Sequence, residues 1–99
     1  MPLVKISMLK IWNENQKRDI SDKIHESLVE AFQIPDDDYM HQITEFEKEN
    51  YLYSKKRSEK YILIEMTILP GRSKKAKKQL YKNIVNRLAE LEISPVDII

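Results

Sequence analysis

Two features of this 99-residue chain could move a proton. The first is Pro2, directly behind the initiator Met1. A small second residue favours trimming of that methionine, and Pro2 would then carry a free secondary amine. An α-amino group titrates at about 7.7–8.0 in model peptides. Such a nitrogen can act as base, acid or nucleophile at working pH, and the pyrrolidine ring fixes where it sits. The second feature is the run Asp36-Asp37-Asp38 after Pro35. A crowded carboxylate is suited to proton transfer or water activation. Each also has a plainer structural use. Proline is tolerated at the first residue of a strand, where no ladder donor is needed, and an aspartate run serves as a solvated turn or helix cap.

The remaining chemistry-bearing residues narrow the classes. There is no cysteine, which excludes disulfides, thiolate catalysis and cysteine metal sites. His25 and His41 lack the spacing of a zinc pair, so neither a metal nor another cofactor is expected. His25 lies toward the edge of a helical stripe and reads as a structural histidine. Lys74, Lys75, Lys77 and Lys78 open a helix. There they oppose the macrodipole by a few tenths of a kcal/mol each and provide a positive field where an anion could dock. Lys55-Lys56-Arg57 follows Tyr51, Leu52 and Tyr53, a mixture that could stack bases. The net charge of +1, however, gives no general pull toward nucleic acid or membrane, and neither is expected as a partner. No apolar run reaches membrane-spanning length and the N-terminus has no signal-peptide core, so the expectation is a cytoplasmic protein.

The elements that must position these residues follow from periodicity. Leu3 to Leu9 alternates, with Pro2, Val4, Ile6 and Met8 on a strongly apolar face. Ile20, Ile24, Leu28 and Phe32 recur at steps of four and define a helix that stops before Pro35. Tyr39 to Phe46 is a second strand with Tyr39, His41, Ile43 and Glu45 on one side. Glu47 to Lys60 is polar and charged and reads as an irregular excursion or hairpin over the surface. Tyr61 to Leu69 is apolar on both faces and is expected to be a central strand. Pro70 and Gly71, the only glycine, break it. Ser73 is placed to cap a helix from about Lys74 to Leu91, with Ala76, Leu80, Ile84, Leu88 and Leu91 as its stripe. Val96 to Ile99 reads as a last apolar strand after Pro95.

The order is therefore β–α–β, an excursion, then β–α–β. One α+β domain is expected, 1–99, with halves at about 2–46 and 60–99 joined by the excursion 47–59. Strands should run parallel within each half. A four-stranded core sheet with two helices on one face follows.

With these residues in place, the sequence resembles the tautomerase superfamily, and within it malonate semialdehyde decarboxylase and its relatives. The matching stretches are Met1 to Ile6, Ala31 to Asp38, Gly71-Arg72-Ser73 with Lys77 and Leu80-Tyr81, and Ile93 to Asp97. They run through nearly the whole chain in order. The resemblance implies that Pro2 is the catalytic proline and that Arg72 holds the substrate carboxylate, a task that suits a planar fork of donors. It implies that Asp38 assists proton transfer or water activation, and that three copies close into a homotrimer with sites near subunit boundaries. The chain departs from the decarboxylase pattern in having Pro70 where a second arginine stands. The family's chains also continue past the last strand into a segment that helps close the site.

The implied activity is a tautomerase acting on a small 2-oxo acid or its enol, with neutral Pro2 as the base. A protonated Pro2 would instead serve a decarboxylase or hydratase of malonate semialdehyde type. If Met1 is retained, the nitrogen is an amide and the chain would be a non-catalytic oligomeric binding module.

Overall fold

The computed structural model describes residues 2–99. Strand β1, Leu3–Leu9, buries Val4, Ile6 and Met8 completely, as its alternation requires. Helix α1, Glu14–Phe32, begins at a reciprocal cap: the Asn13 side chain accepts from the Gln16 N–H, and the Gln16 side chain accepts from the Asn13 N–H, both at 2.8 Å. It ends where Gln33 turns left-handed at φ 54°, two residues before Pro35. Strand β2 is His41–Phe46. Strand β3 is Ile62–Thr67. Helix α2, Lys74–Ala89, starts at Ser73, whose Oγ accepts from the Ala76 N–H at 3.0 Å.

The sheet order is β2-β1-β3. β1 runs parallel to β2, with Val4 opposite His41, and antiparallel to β3, with Leu3 opposite Thr67. Both helices pack on one face, where Ile20, Ile24, Leu28, Leu80, Ile84 and Leu88 close over Val4, Ile6, Met8 and Ile62.

Two expectations change. The central strand is β1 rather than the segment containing β3. The expected fourth strand is a single parallel bridge, Ile62 to Ile98. Pro95 opens a 3-10 turn, Pro95–Asp97, that spends this segment's hydrogen bonds locally. Only Ile98 and Ile99 remain to reach β3, through Ile99 N–H to Ile62 O at 3.0 Å and Ile64 N–H to Ile99 O at 2.7 Å. The observed sheet therefore has three strands with this short addition at its edge, and the addition keeps the parallel sense expected of the second half.

The excursion after β2 is also better anchored than its polar composition implies. Tyr51 is buried, and its hydroxyl reaches the carbonyls of Ser7 and Tyr61 at 2.9 and 2.8 Å. Its ring stacks between Phe46 and Tyr61. Asp97, 3% exposed, accepts from both the backbone N–H and the hydroxyl of Ser58, each at 2.6 Å. These bonds tie the excursion to the sheet and to the C-terminal turn.

Candidate active site

The three candidate residues gather at one end of the sheet. Parallel pairing continues beyond β2 through Val4 N–H to Met40 O at 3.0 Å. Carrying the two registers two residues back along β1 sets Pro2 level with Tyr39 on one side and with Ile68 on the other. Asp38 is one residue further along the same neighbour. Pro2 is buried and Asp38 half-buried. Met1, whose removal a free Pro2 amine requires, lies outside the described residues.

Arg72 reaches this end from the turn after β3. Gly71, at φ 107°, takes a conformation other residues rarely adopt and directs the chain toward α2. The Arg72 guanidinium lies 4.9 Å from the Phe32 ring centroid, and its Nη1 donates to the Phe32 carbonyl at 2.9 Å. It thus closes the C-terminal end of α1, where backbone carbonyls lack helical partners. The side chain is exposed, and this contact uses only one of the fork's donors.

A cavity of about 410 Å³ opens between β3 and α2. Its apolar walls include Phe32, Ile64, Met66, Ile68 and Leu80, and Lys77 brings a cation to it. Ile68 links this cavity to the Pro2 end of the sheet. Among the described residues, no group of three or more His, Cys, Asp or Glu is placed to hold a metal ion.

A second polar cluster joins α1 to the segment that carries Asp38. Ser21 Oγ lies 2.8 Å from Tyr39 Oη and 2.7 Å from His41 Nδ1. Tyr39 donates to Asp22 Oδ1 at 2.7 Å. His25 Nε2 lies 2.8 Å from the Asp36 carbonyl oxygen, and the His25 ring packs 4.3 Å from that of Tyr39. Burial, with help from Asp22, pushes the Tyr39 phenol up to about 12, against the Ser21 contact. Burial first, and the neighbouring His25 second, pull His41 down to about 4, with Asp22 opposing. The phenol is protonated and His41 is neutral at working pH. The sequence contained the signal for this cluster. Ser21 and His25 lie one helical turn apart, and Tyr39 and His41 alternate onto one strand face. Their meeting depends on how α1 crosses β2, which the pattern does not specify.

Comparison with known proteins agrees with this architecture. Family models described as tautomerase enzymes match residues 2–61 and 38–99. A Bacillus subtilis (strain 168) protein described as a probable tautomerase, YusQ, is 31% identical, over 99% of this chain and 82% of its own length. An FG41 malonate semialdehyde decarboxylase inhibited by 3-bromopropiolate superposes with a TM-score of 0.90 at 24% identity, covering 97% of this chain and 77% of that one. A fused 4-OT asymmetric trimer superposes at 0.83 with 14% identity, covering 97% and 80%. These two structures share the fold. Between them, the family matches span the described chain from Pro2 to Ile99, and the chain belongs to the tautomerase family of enzymes.

Proposed function

We propose that this enzyme uses the secondary amine of Pro2, freed by removal of Met1, to shuttle a proton between carbon and oxygen of a small 2-oxo acid or its enol. The observation that carries this reading is the register of β1. It sets the buried Pro2 level with Tyr39, next to Asp38, on one side and with Ile68, on the way to Arg72, on the other. Neutral Pro2 takes the proton from carbon next to the carbonyl and returns it elsewhere. Arg72 pairs with the substrate carboxylate through the part of its fork not committed to Phe32. Asp38 assists by adjusting the charge around the amine.

The same geometry supports a second reading. A carboxylate near the amine favours its protonated form, and protonated Pro2 would polarise a carbonyl for hydration or decarboxylation. Pro70 in place of a second arginine weakens the grip such a reaction needs on its carboxylate. The two readings separate on pH. A base requires the amine deprotonated, so kcat/KM falls below its pKa. An acid requires it protonated, so kcat/KM falls above that pKa.

The test is an assay of Met-trimmed protein, verified by mass spectrometry, on phenylenolpyruvate, a 2-hydroxymuconate-type dienol and malonate semialdehyde. Pro2→Ala is expected to lower turnover by at least about 100-fold. Undiminished turnover in Pro2→Ala would end the proposal.

A homotrimer is proposed on the resemblance and on the trimeric state named for the fused 4-OT relative. The sheet face opposite the helices supports it, since it exposes Met40 and Leu69 at 56% and 64%.

A further inference from the structure

We propose that the cavity between β3 and α2 receives the substrate's side chain, so that the substrate is a 2-oxo acid carrying a bulky apolar group, branched aliphatic or aromatic, on C3. This rests on the reading of Pro2 as the base and Arg72 as the carboxylate partner, and it names the class of acid they serve.

The cavity measures about 410 Å³. Small-molecule sites run from roughly 300 to 1,000 Å³, with mostly apolar walls and a few polar groups. This one has a chemical end and a blind end. β3 leads into the turn that carries Arg72, and α2 starts from that turn and returns along the sheet. Ile68 and Lys77 therefore lie at the Arg72 end, and Ile64 and Val85 at the far one. The extended chain from Ile68 back to Ile64 spans about 13 Å. The helix from Lys77 to Val85 spans about 12 Å.

Two residues join the chemical end to the candidate site. Phe32 lines the cavity and also takes the Arg72 guanidinium, against its ring and on its carbonyl. Ile68 stands opposite Pro2 in the continued antiparallel register, and residues opposite one another share a sheet face. That face is the one the helices cover, because Val4 and Ile6 pair there with Met66 and Ile64. Pro2 and the cavity thus lie on the same side of the sheet.

Polarity is graded along the trough. Among the described residues that line it, Lys77 and Tyr81 alone carry polar side chains. Lys77 adds a second cation at the end where Arg72 takes a carboxylate. The blind end is walled by Ile64, Ile84, Val85, Ile98 and Ile99, the last two held to β3 at its edge. An alkyl or aryl group gains by leaving water there. A second carboxylate would lose its hydration without a partner. With its carboxylate on Arg72 and C3 at the Pro2 amine, an acid of the proposed class directs its C3 substituent away from the turn and into the trough.

The experiment follows replacement of C3–H by C3–D in deuterium oxide by NMR. Pro2 takes a proton from C3, exchanges it for a solvent deuteron and returns the deuteron to C3. Met-trimmed protein is given pyruvate, 4-methyl-2-oxopentanoate, phenylpyruvate and 2-oxoglutarate. We expect kcat/KM for phenylpyruvate and 4-methyl-2-oxopentanoate to exceed that for pyruvate by at least about tenfold, with 2-oxoglutarate no better than pyruvate. Val85→Phe fills the blind end and should lower the phenylpyruvate-to-pyruvate ratio by at least about tenfold. Tyr81 is 63% exposed, so Tyr81→Ala is expected to fold, and it should lower the ratio by a smaller factor. Circular dichroism verifies both variants. A wild-type ratio near one, or a ratio moved by neither folded variant, would overturn the assignment while leaving the Pro2 chemistry intact. Exchange no faster than in Pro2→Ala with every acid would overturn the reaction instead. The cavity is then judged by binding alone, through the methyl NMR shifts of Ile64 and Ile84 on addition of 3-phenylpropanoate, which lacks the 2-oxo group. Moving methyls support the cavity as a site for apolar acids. Unmoved methyls, as when a second copy of the chain fills the trough, remove it.

Discussion

In the proposed reaction Pro2 serves through its nitrogen, while Gly71 and His41 matter for what their surroundings demand of them. Gly71 sits at φ 107°, and beyond its own chain neighbours no described atom lies within 4 Å of where a Cβ would stand, so an alanine there meets strain and no clash. Gly71→Ala is expected to cost about 1–2 kcal/mol. Relaxing that strain would rotate Arg72 away from Phe32, so chemical denaturation should show the loss together with a raised KM. His41 gives a dependence on pH. Its folded value, about 4, lies below its ordinary 6.5. Between these limits the unfolded chain takes up a proton that the folded chain refuses, so stability is complete above about 6.5 and declines as pH falls toward 4. Facing His41 from α1 are His25, which lowers its affinity for the proton, and Asp22, which raises it. Thermal melts from pH 7 to pH 4 should show a falling midpoint, and the fall should be shallower in His41→Gln.

At the scale of elements, the packing of α1 and the fastening of the excursion can be tested separately. Leu28 is fully buried between α1 and the sheet, and Leu28→Ala should cost about 2–5 kcal/mol in urea unfolding. Tyr51→Phe removes the hydroxyl that bridges the carbonyls of Ser7 and Tyr61. It should cost about 1 kcal/mol and raise the proteolysis rate of the excursion more than that of α2. Helices and strands were legible because the apolar spacing in Ile20–Phe32 and Val4–Met8 has only one matching periodicity. The burial of Tyr51 was hidden because its neighbours are charged and one anchoring tyrosine leaves no period. The fourth strand failed because Val96, Ile98 and Ile99 are as apolar as a strand should be, while the turn begun by Pro95 takes most of the segment. Pro2, Asp38 and Arg72 became candidates as a set through the resemblance, which the repeated β–α–β plan supports. The hydrogen-bonded cluster of Ser21, Tyr39 and His41 was not legible, since its bonds form only after α1 has crossed β2.

For the whole molecule, the helices cover one face of the sheet and leave the other to Leu3, Met40, Leu63 and Leu69 among polar neighbours. Trimer formation would cover that face. Sedimentation equilibrium is expected to give three times the 11.8 kDa chain mass, and Leu69→Lys should shift the population toward monomer. A stable wild-type monomer would refute the trimer. The double pairing of β1 has a further consequence for engineering the protein. One inserted residue between Pro2 and Val4 would turn the terminal nitrogen to the opposite face of the sheet. Two would restore the face but push the nitrogen about 7 Å past its neighbours. Because the buried Val4, Ile6 and Met8 forbid the strand from sliding to compensate, an amino-terminal purification tag left uncleaved, or cleaved with a residual overhang, should yield a folded but inactive protein.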